Sequence, residues 1–309
     1  MPATFDDTAW RANPESVRDA LEANRIVYFP TCPLPLPPAE TLDFLRRELP
    51  SRLKLKNVSY HPEAGKVSGL EADEDTTRRV TETLRSHLDE VQAFLRRVTG
   101  DLTEGARVGT CSFRPIEEKG RNLKPHASNE LVHVDAGAYG ATDGDRILRF
   151  FVNVNPARDR VWATKGSFED MVARYGTRAG LLDDAGRLRL NIEKRGGDRV
   201  VSALVAGLAH LNPLATVLDT SPYDRAMRRL HNYMKDDPEF RADTAGYEEI
   251  RFPPLSAWMV FTDGVSHASL EGQFALVTTM IVRRNRMRWP ERAPFNSLLA
   301  RADGASSAV

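Results

Sequence analysis

Arg146-Ile147-Leu148-Arg149-Phe150-Phe151-Val152-Asn153-Val154-Asn155-Pro156 reads as a β-strand. Side chains alternate between the faces of a strand, so Leu148, Phe150, Val152 and Val154 share one face while Arg149, Phe151, Asn153 and Asn155 share the other. An unpaired guanidinium is very costly to bury, so the second face is expected to line a ligand cavity and Arg149 to meet an anion. Working outward, Val108 to Pro115, Glu249 to Pro254, Ser256 to Gly264 and Phe274 to Val282 are further strand-like runs. Many short strands punctuated by Gly and Pro, with few strand-helix alternations, favour a sandwich or barrel over a doubly wound parallel sheet. The expected fold is α+β with a mainly β core: a double-stranded β-helix, or cupin-like jelly roll, with flanking helices and a helical insertion. Residues 1–309 are expected to form one domain, with N-terminal support over 1–104, the core in 105–156 and 247–284, and the insertion over 157–246.

Leu131-Val132-His133-Val134-Asp135-Ala136 sets an imidazole and a carboxylate two residues apart. In an extended chain both point the same way and can grip one ion, whereas a helix would splay them by about 200°. His267, in Asp263-Gly264-Val265-Ser266-His267, would complete two histidines and one carboxylate, the facial set of non-haem Fe(II) oxygenases. A histidine on an apolar strand is more commonly a hydrogen-bonded structural residue, so the spacing alone leaves the metal site open.

Composition excludes several classes. Forty-three basic residues balance forty-three acidic ones, with no basic stripe for nucleic acid and no polybasic membrane patch. The N-terminal residues lack the pattern of a signal peptide, and no apolar run is long enough to span a bilayer, which predicts a cytoplasmic protein without an integral membrane segment. Cys32 and Cys111 are too few for a disulfide framework or a zinc knuckle.

Helix signals flank the strands. Asn13-Pro14-Glu15 starts a short helix to about Asn24, a strand follows at Ile26 to Phe29, and Leu42, Leu45 and Leu49 mark a second helix. From Asp75 to Val98, Val80, Leu84, Leu88, Val91, Leu95 and Val98 recur at helical steps, predicting a long amphipathic helix on the sheet with His87 in its buried stripe. In the expected insertion, helices are predicted near Ser167 to Tyr175, Val201 to Ala209 and Tyr223 to Met234, and His210 and His231 are read as surface or capping residues. Near Val108, alternation places Thr110, Ser112 and Arg114 on one face, which suits either a wet cavity or an ordinary exposed edge. With Arg121 from the following loop, Ser112 and Arg114 are the expected contacts to a small-molecule substrate bearing a carboxylate.

Lys56-Asn57-Val58-Ser59-Tyr60-His61-Pro62, Ser112-Phe113-Arg114-Pro115, Val132-His133-Val134-Asp135-Ala136, Asp145 through Pro156, and Trp258-Met259-Val260-Phe261-Thr262-Asp263 to His267-Ala268 together resemble the Kdo hydroxylase family. Its members are Fe(II)/2-oxoglutarate-dependent dioxygenases acting on the 3-deoxy-octulosonic acid sugar of lipopolysaccharide. The likeness implies Fe(II) held by His133, Asp135 and His267, with 2-oxoglutarate and O2 as co-substrates and an unactivated C–H bond as the target. Arg149 and Arg283 compete to hold the far carboxylate of 2-oxoglutarate. Arg149 is preferred because it lies mid-strand, and Asn153 and Thr279 are assigned beside it. The chain departs from the family pattern at Glu130-Leu131, where a hydroxyl and a basic residue are usual, and at Leu276-Val277-Thr278-Thr279, where Leu-Glu-Gln-Thr is usual. Those departures, with the Ala/Arg/Asp/Gly-rich composition of a GC-rich genome, favour a natural-product substrate, oxidised by hydroxylation, desaturation or cyclopropane formation, over lipopolysaccharide. A divalent-metal hydrolase or isomerase on the same barrel, and a non-catalytic ligand-binding barrel, are the other readings.

Overall fold

The computed structural model describes residues 2–137, 140–194 and 221–302. Its organising contact is a long helix laid across a sheet. Eight helices are assigned among the described residues: α1 (Asp7–Ala12), α2 (Pro14–Glu22), α3 (Ala39–Glu48), α4 (Glu74–Thr99), α5 (Phe168–Tyr175), α6 (Pro222–Asp236), α7 (Pro238–Ala242) and α8 (Pro294–Ala302). The strands are β1 (Ala3–Thr4), β2 (Val27–Phe29), β3 (Val58–His61), β4 (Lys66–Ser68), β5 (Arg107–Arg114), β6 (Arg146–Asn153), β7 (Arg160–Thr164), β8 (Glu248–Phe252), β9 (Ala257–Phe261), β10 (Ala268–Glu271) and β11 (Ala275–Val282).

Helix α4 begins where the Asp73 carboxylate accepts the Thr76 N–H, and it buries Val80, Leu84, Leu88, Val91, Phe94, Leu95 and Val98. Each large apolar side chain so buried contributes about 1.5–3 kcal/mol. Those side chains meet Leu148, Phe150 and Val152 of β6, with the Phe94 ring 5.7 Å from that of Phe150 in an edge contact. His87 is buried in the same stripe, as its spacing predicts.

The result is an α+β architecture dominated by a large sheet of eight strands ordered β1-β2-β9-β6-β11-β5-β3-β4, with a smaller sheet β10-β7-β8. Except for the parallel β1-β2 pair, the ladders are antiparallel. Side chains of both sheets, including Phe151, Trp258, Val260 and Val277 from the large one and Trp162, Ile250 and Phe252 from the small one, share a second core. The segment expected to be a helical insertion starts with a strand, β7, which pairs with both β8 and β10. Arg160 opens that strand and is buried with its Nη2–H donated to Glu118 at 2.9 Å and to Ser269 Oγ at 3.0 Å and its Nη1–H to Gly272 O at 3.3 Å, a compensation that no local pattern reveals. The expected helices at 167–175 and 223–234 form, while Val201 to Ala209 and His210 lie outside the described residues. Among the described residues no helix is long and apolar enough to cross a membrane.

Candidate active site

The extended segment around His133 is not a full strand. It makes one antiparallel bridge, in which His133 N–H donates to His267 O at 3.0 Å and His267 N–H donates back to His133 O at 2.8 Å. Two residues on, Asp135 N–H donates to Thr262 O at 2.8 Å. This pairing, not proximity in sequence, puts the ligand atoms of His133, Asp135 and His267 within 4.8 Å of one another. The Nδ1–H of His133 donates to Leu131 O at 2.7 Å and that of His267 to Val265 O at 3.0 Å, because a carbonyl oxygen only accepts. Both Nε2 lone pairs are thus left for a ligand, the tautomer a metal requires.

The turn carrying Thr262 is anchored from beneath. Arg146 is fully buried, donates to Asp263 Oδ2 at 2.7 Å and to Asn24 Oδ1 at 2.7 Å, and Asp263 Oδ1 accepts the Ile147 N–H. A Cβ at Gly264 would collide with Asn24 Oδ1 and the Arg146 guanidinium, so the turn needs glycine for its close approach.

Charge is arranged to keep the three ligands in their binding forms. Burial, then His267 and Lys235, holds the His133 imidazole well below its ordinary pKa and neutral. Burial alone would raise the Asp135 carboxyl, but Arg149, His267 and His133 outweigh it and hold it well below the usual range. Arg149 Nη2 lies 2.9 Å from Asp135 Oδ2, although the pair is out of hydrogen-bond alignment: that buried oxygen and the Nε of Arg149 both lack a hydrogen-bond partner.

The triad opens into a cavity of about 340 Å³. Arg149, Thr279, Ser112 and Arg114 line it, and Thr279 stands between Arg149 and Thr110 in the ladder. Two of the expected contacts are placed elsewhere. Asn153 is on the right face but four residues beyond Arg149, about 13 Å along the strand. There it donates to the carbonyls of Arg158 and Phe252 and accepts from Asn155 N–H, outside the cavity lining. Arg121 also lies outside that lining and pairs with Glu118 at 3.3 Å. Arg283 is exposed at the end of β11 and does not line the cavity, whereas Arg149 does.

Sequence reasoning missed the wall opposite the strands. His231 and Lys235, one turn apart on α6, both line the cavity, and His231 donates Nδ1–H to Val134 O at 2.8 Å with its ring 5.0 Å from that of His133. The reading of His231 as a surface or capping residue did not include this place in the cavity wall. Its spacing with Lys235 on one helix face was the available signal.

The sequence pattern of 3-deoxy-D-manno-oct-2-ulosonic acid (Kdo) hydroxylases matches residues 6–305. The chain belongs to the Kdo hydroxylase family. Among solved structures, the Kdo hydroxylase KdoO, a non-haem Fe(II) α-ketoglutarate-dependent dioxygenase, superposes in complex with α-ketoglutarate and Fe(III) at a TM-score of 0.79 and 28% identity, covering 98% of this chain and 96% of that one. Its apo structure matches with the same TM-score and identity over 100% of both chains. A cobalt(II) complex matches at 0.79 and 28% over 100% of this chain and 99% of that one. No curated protein matches. As a Kdo hydroxylase family member the chain is an oxidoreductase of the Fe(II)/2-oxoglutarate dioxygenase class, which removes the hydrolase, isomerase and non-catalytic readings.

Proposed function

We propose that the chain hydroxylates the sugar acid Kdo within lipopolysaccharide, using Fe(II), 2-oxoglutarate and O2. The family match over residues 6–305 carries this reading and favours it over a small natural-product substrate, for which composition and two local departures were the grounds. The sheet order supports the expected double-stranded β-helix: β9-β6-β11-β5 form one layer, and β8-β7-β10, continued by the His133 bridge, form the other.

In this reading His133, Asp135 and His267 hold the iron. Two neutral imidazoles and a carboxylate suit a ferrous ion, and the unbonded buried Oδ2 of Asp135 is an atom that a cation would satisfy. Iron with 2-oxoglutarate supplies the oxidising power when bound. The side chains do the rest. Arg149, with its Nε lacking an acceptor, holds the far carboxylate of 2-oxoglutarate, and Thr279 adds a hydroxyl beside it. Ser112, whose hydroxyl already bonds Ser59 and Thr110 at 2.9 and 3.2 Å, and Arg114 face the sugar acid. Trp162, stacked 5.2 Å from the His267 ring, keeps that side dry.

The deciding experiment supplies Fe(II), 2-oxoglutarate and oxygen with Kdo-bearing lipid A in one arm and a panel of amino acids in the other. Succinate release coupled to gain of one oxygen atom by the Kdo substrate is expected. Coupled oxidation of an amino acid with none of Kdo would overturn the substrate assignment.

A further inference from the structure

Two lysines in the cavity belong to neither the metal set nor the 2-oxoglutarate contacts. Lys235 is 2% exposed, and its ammonium donates to the carbonyls of Ser128 and His126 at 2.9 and 3.3 Å. Lys56 lies just before β3 and is exposed where it lines the same cavity. Among the described residues neither is paired with a carboxylate.

A buried ammonium answered only by carbonyl dipoles is an unusual expense unless an anion joins it. The charges lining the cavity point the same way. Four cations, Lys56, Arg114, Arg149 and Lys235, face one carboxylate, Asp135. Glu118, 3.9 Å from Arg114, is shared with Arg160 and Arg121, and Arg149 and Asp135 offset each other. Ferrous iron and 2-oxoglutarate carry equal and opposite formal charges, so their arrival leaves the two lysines uncompensated.

We propose that Lys235 and Lys56 form an anion clamp at the cavity for a carboxylate or phosphate of the substrate to be oxidised, separate from the cation that holds 2-oxoglutarate. The clamp rests on the proposed assignment of Arg149 to 2-oxoglutarate and names what selects the other substrate: a second negative group. Lys235 is delivered by a helix that belongs to neither sheet, so the clamp can differ between relatives that share one iron site. A zwitterion whose ammonium adjoins its carboxylate would gain less from it than a sugar acid or a phosphate ester.

The test is calorimetric titration of two probes, inorganic phosphate and Kdo monosaccharide, into the purified protein and its Lys56→Met, Lys235→Met and Lys235→Arg variants. Loss of a charge-assisted contact should weaken at least one probe about tenfold in each Met variant, with Lys235→Arg restoring part of it. The probe that weakens tells whether phosphate or carboxylate is the group held. Lys56 makes no hydrogen bond within the described structure, so Lys56→Met remains informative if Lys235→Met fails to fold. In turnover with Kdo-bearing lipid A, the Met variants should raise the KM for that substrate while the KM for 2-oxoglutarate stays within about threefold. Unchanged affinity for both probes in folded Met variants would overturn the clamp, as would a rise in the 2-oxoglutarate KM without one for the lipid. Because the titrations need no turnover, they succeed or fail independently of whether Kdo is the substrate oxidised.

Discussion

The two faces of the large sheet are built from the same strands and do opposite things. On the α4 face, Leu148, Phe150, Val152 and Leu276 close a dry core. On the other, Arg149, Thr279, Ser112 and Arg114 share a cavity with three metal-ligand candidates. His87 is buried on the first face and His133 and His267 on the second, and the contrast between them shows what separates structural from functional burial. His87, on the dry face, is buried with both ring nitrogens unpartnered, and burial lowers its pKa to about 4. His133 and His267 have one nitrogen tied to a carbonyl and the other left toward shared space. A histidine that has a fixed tautomer and an open second nitrogen is prepared for a ligand; one with neither nitrogen engaged is held by packing alone.

Substitutions on each face should keep to that division. The largest effect is expected of Asp135→Ala, which should cut 2-oxoglutarate turnover beyond the roughly 10–100-fold cost of losing an outer-shell partner, with the far-ultraviolet circular dichroism retained. Iron titration and succinate release measure it, and substantial activity in the variant would remove Asp135 from the ligand set. On the dry face, Phe150→Ala should cost about 3–5 kcal/mol of stability in denaturant titration. Its KM for 2-oxoglutarate should scarcely move; a large shift there would mean that the two faces are coupled.

Arg149→Ala should raise the 2-oxoglutarate concentration for half-maximal rate by roughly 30-fold or more, as losing a buried charge contact worth about 2 kcal/mol or more implies. Arg283→Ala should change little, and the opposite ranking would place the anchor on β11. The smallest effect concerns His87. Its folded pKa lies below the ordinary value of 6.5, so the unfolded chain takes up the proton first as pH falls. The stabilisation is complete above about pH 6.5 and is lost progressively toward pH 4, amounting to about 2 kcal/mol by pH 5. His87→Leu should flatten the stability profile between pH 7 and 5 by about that amount, and an unchanged slope would show that His87 protonates inside the fold.

Much of this division was legible in the sequence because it follows from local periodicity. Alternation in Arg146 to Asn155 separates the dry face from the wet one, and the helical steps from Val80 to Val98 identify the covering helix. Where the reading failed, a contact across long separation was responsible. Arg160 hides a strand because its partner, Glu118, is 42 residues away in sequence. His231 reads as a surface residue until α6 is seen beside Val134, 97 residues earlier.

By itself the sequence determined which side chains share a face and that His133 and Asp135 can act together, since backbone geometry sets both within a few residues. The tertiary structure decided how far along each face the cavity extends: it includes Arg149 and excludes Asn153 and Arg121. It also decided that His267 would meet His133 and that α6 would bring His231 and Lys235 to them. Strand register and helix docking are settled by burial summed over the whole chain, and a two-residue or one-turn repeat carries no record of which distant backbone it will face.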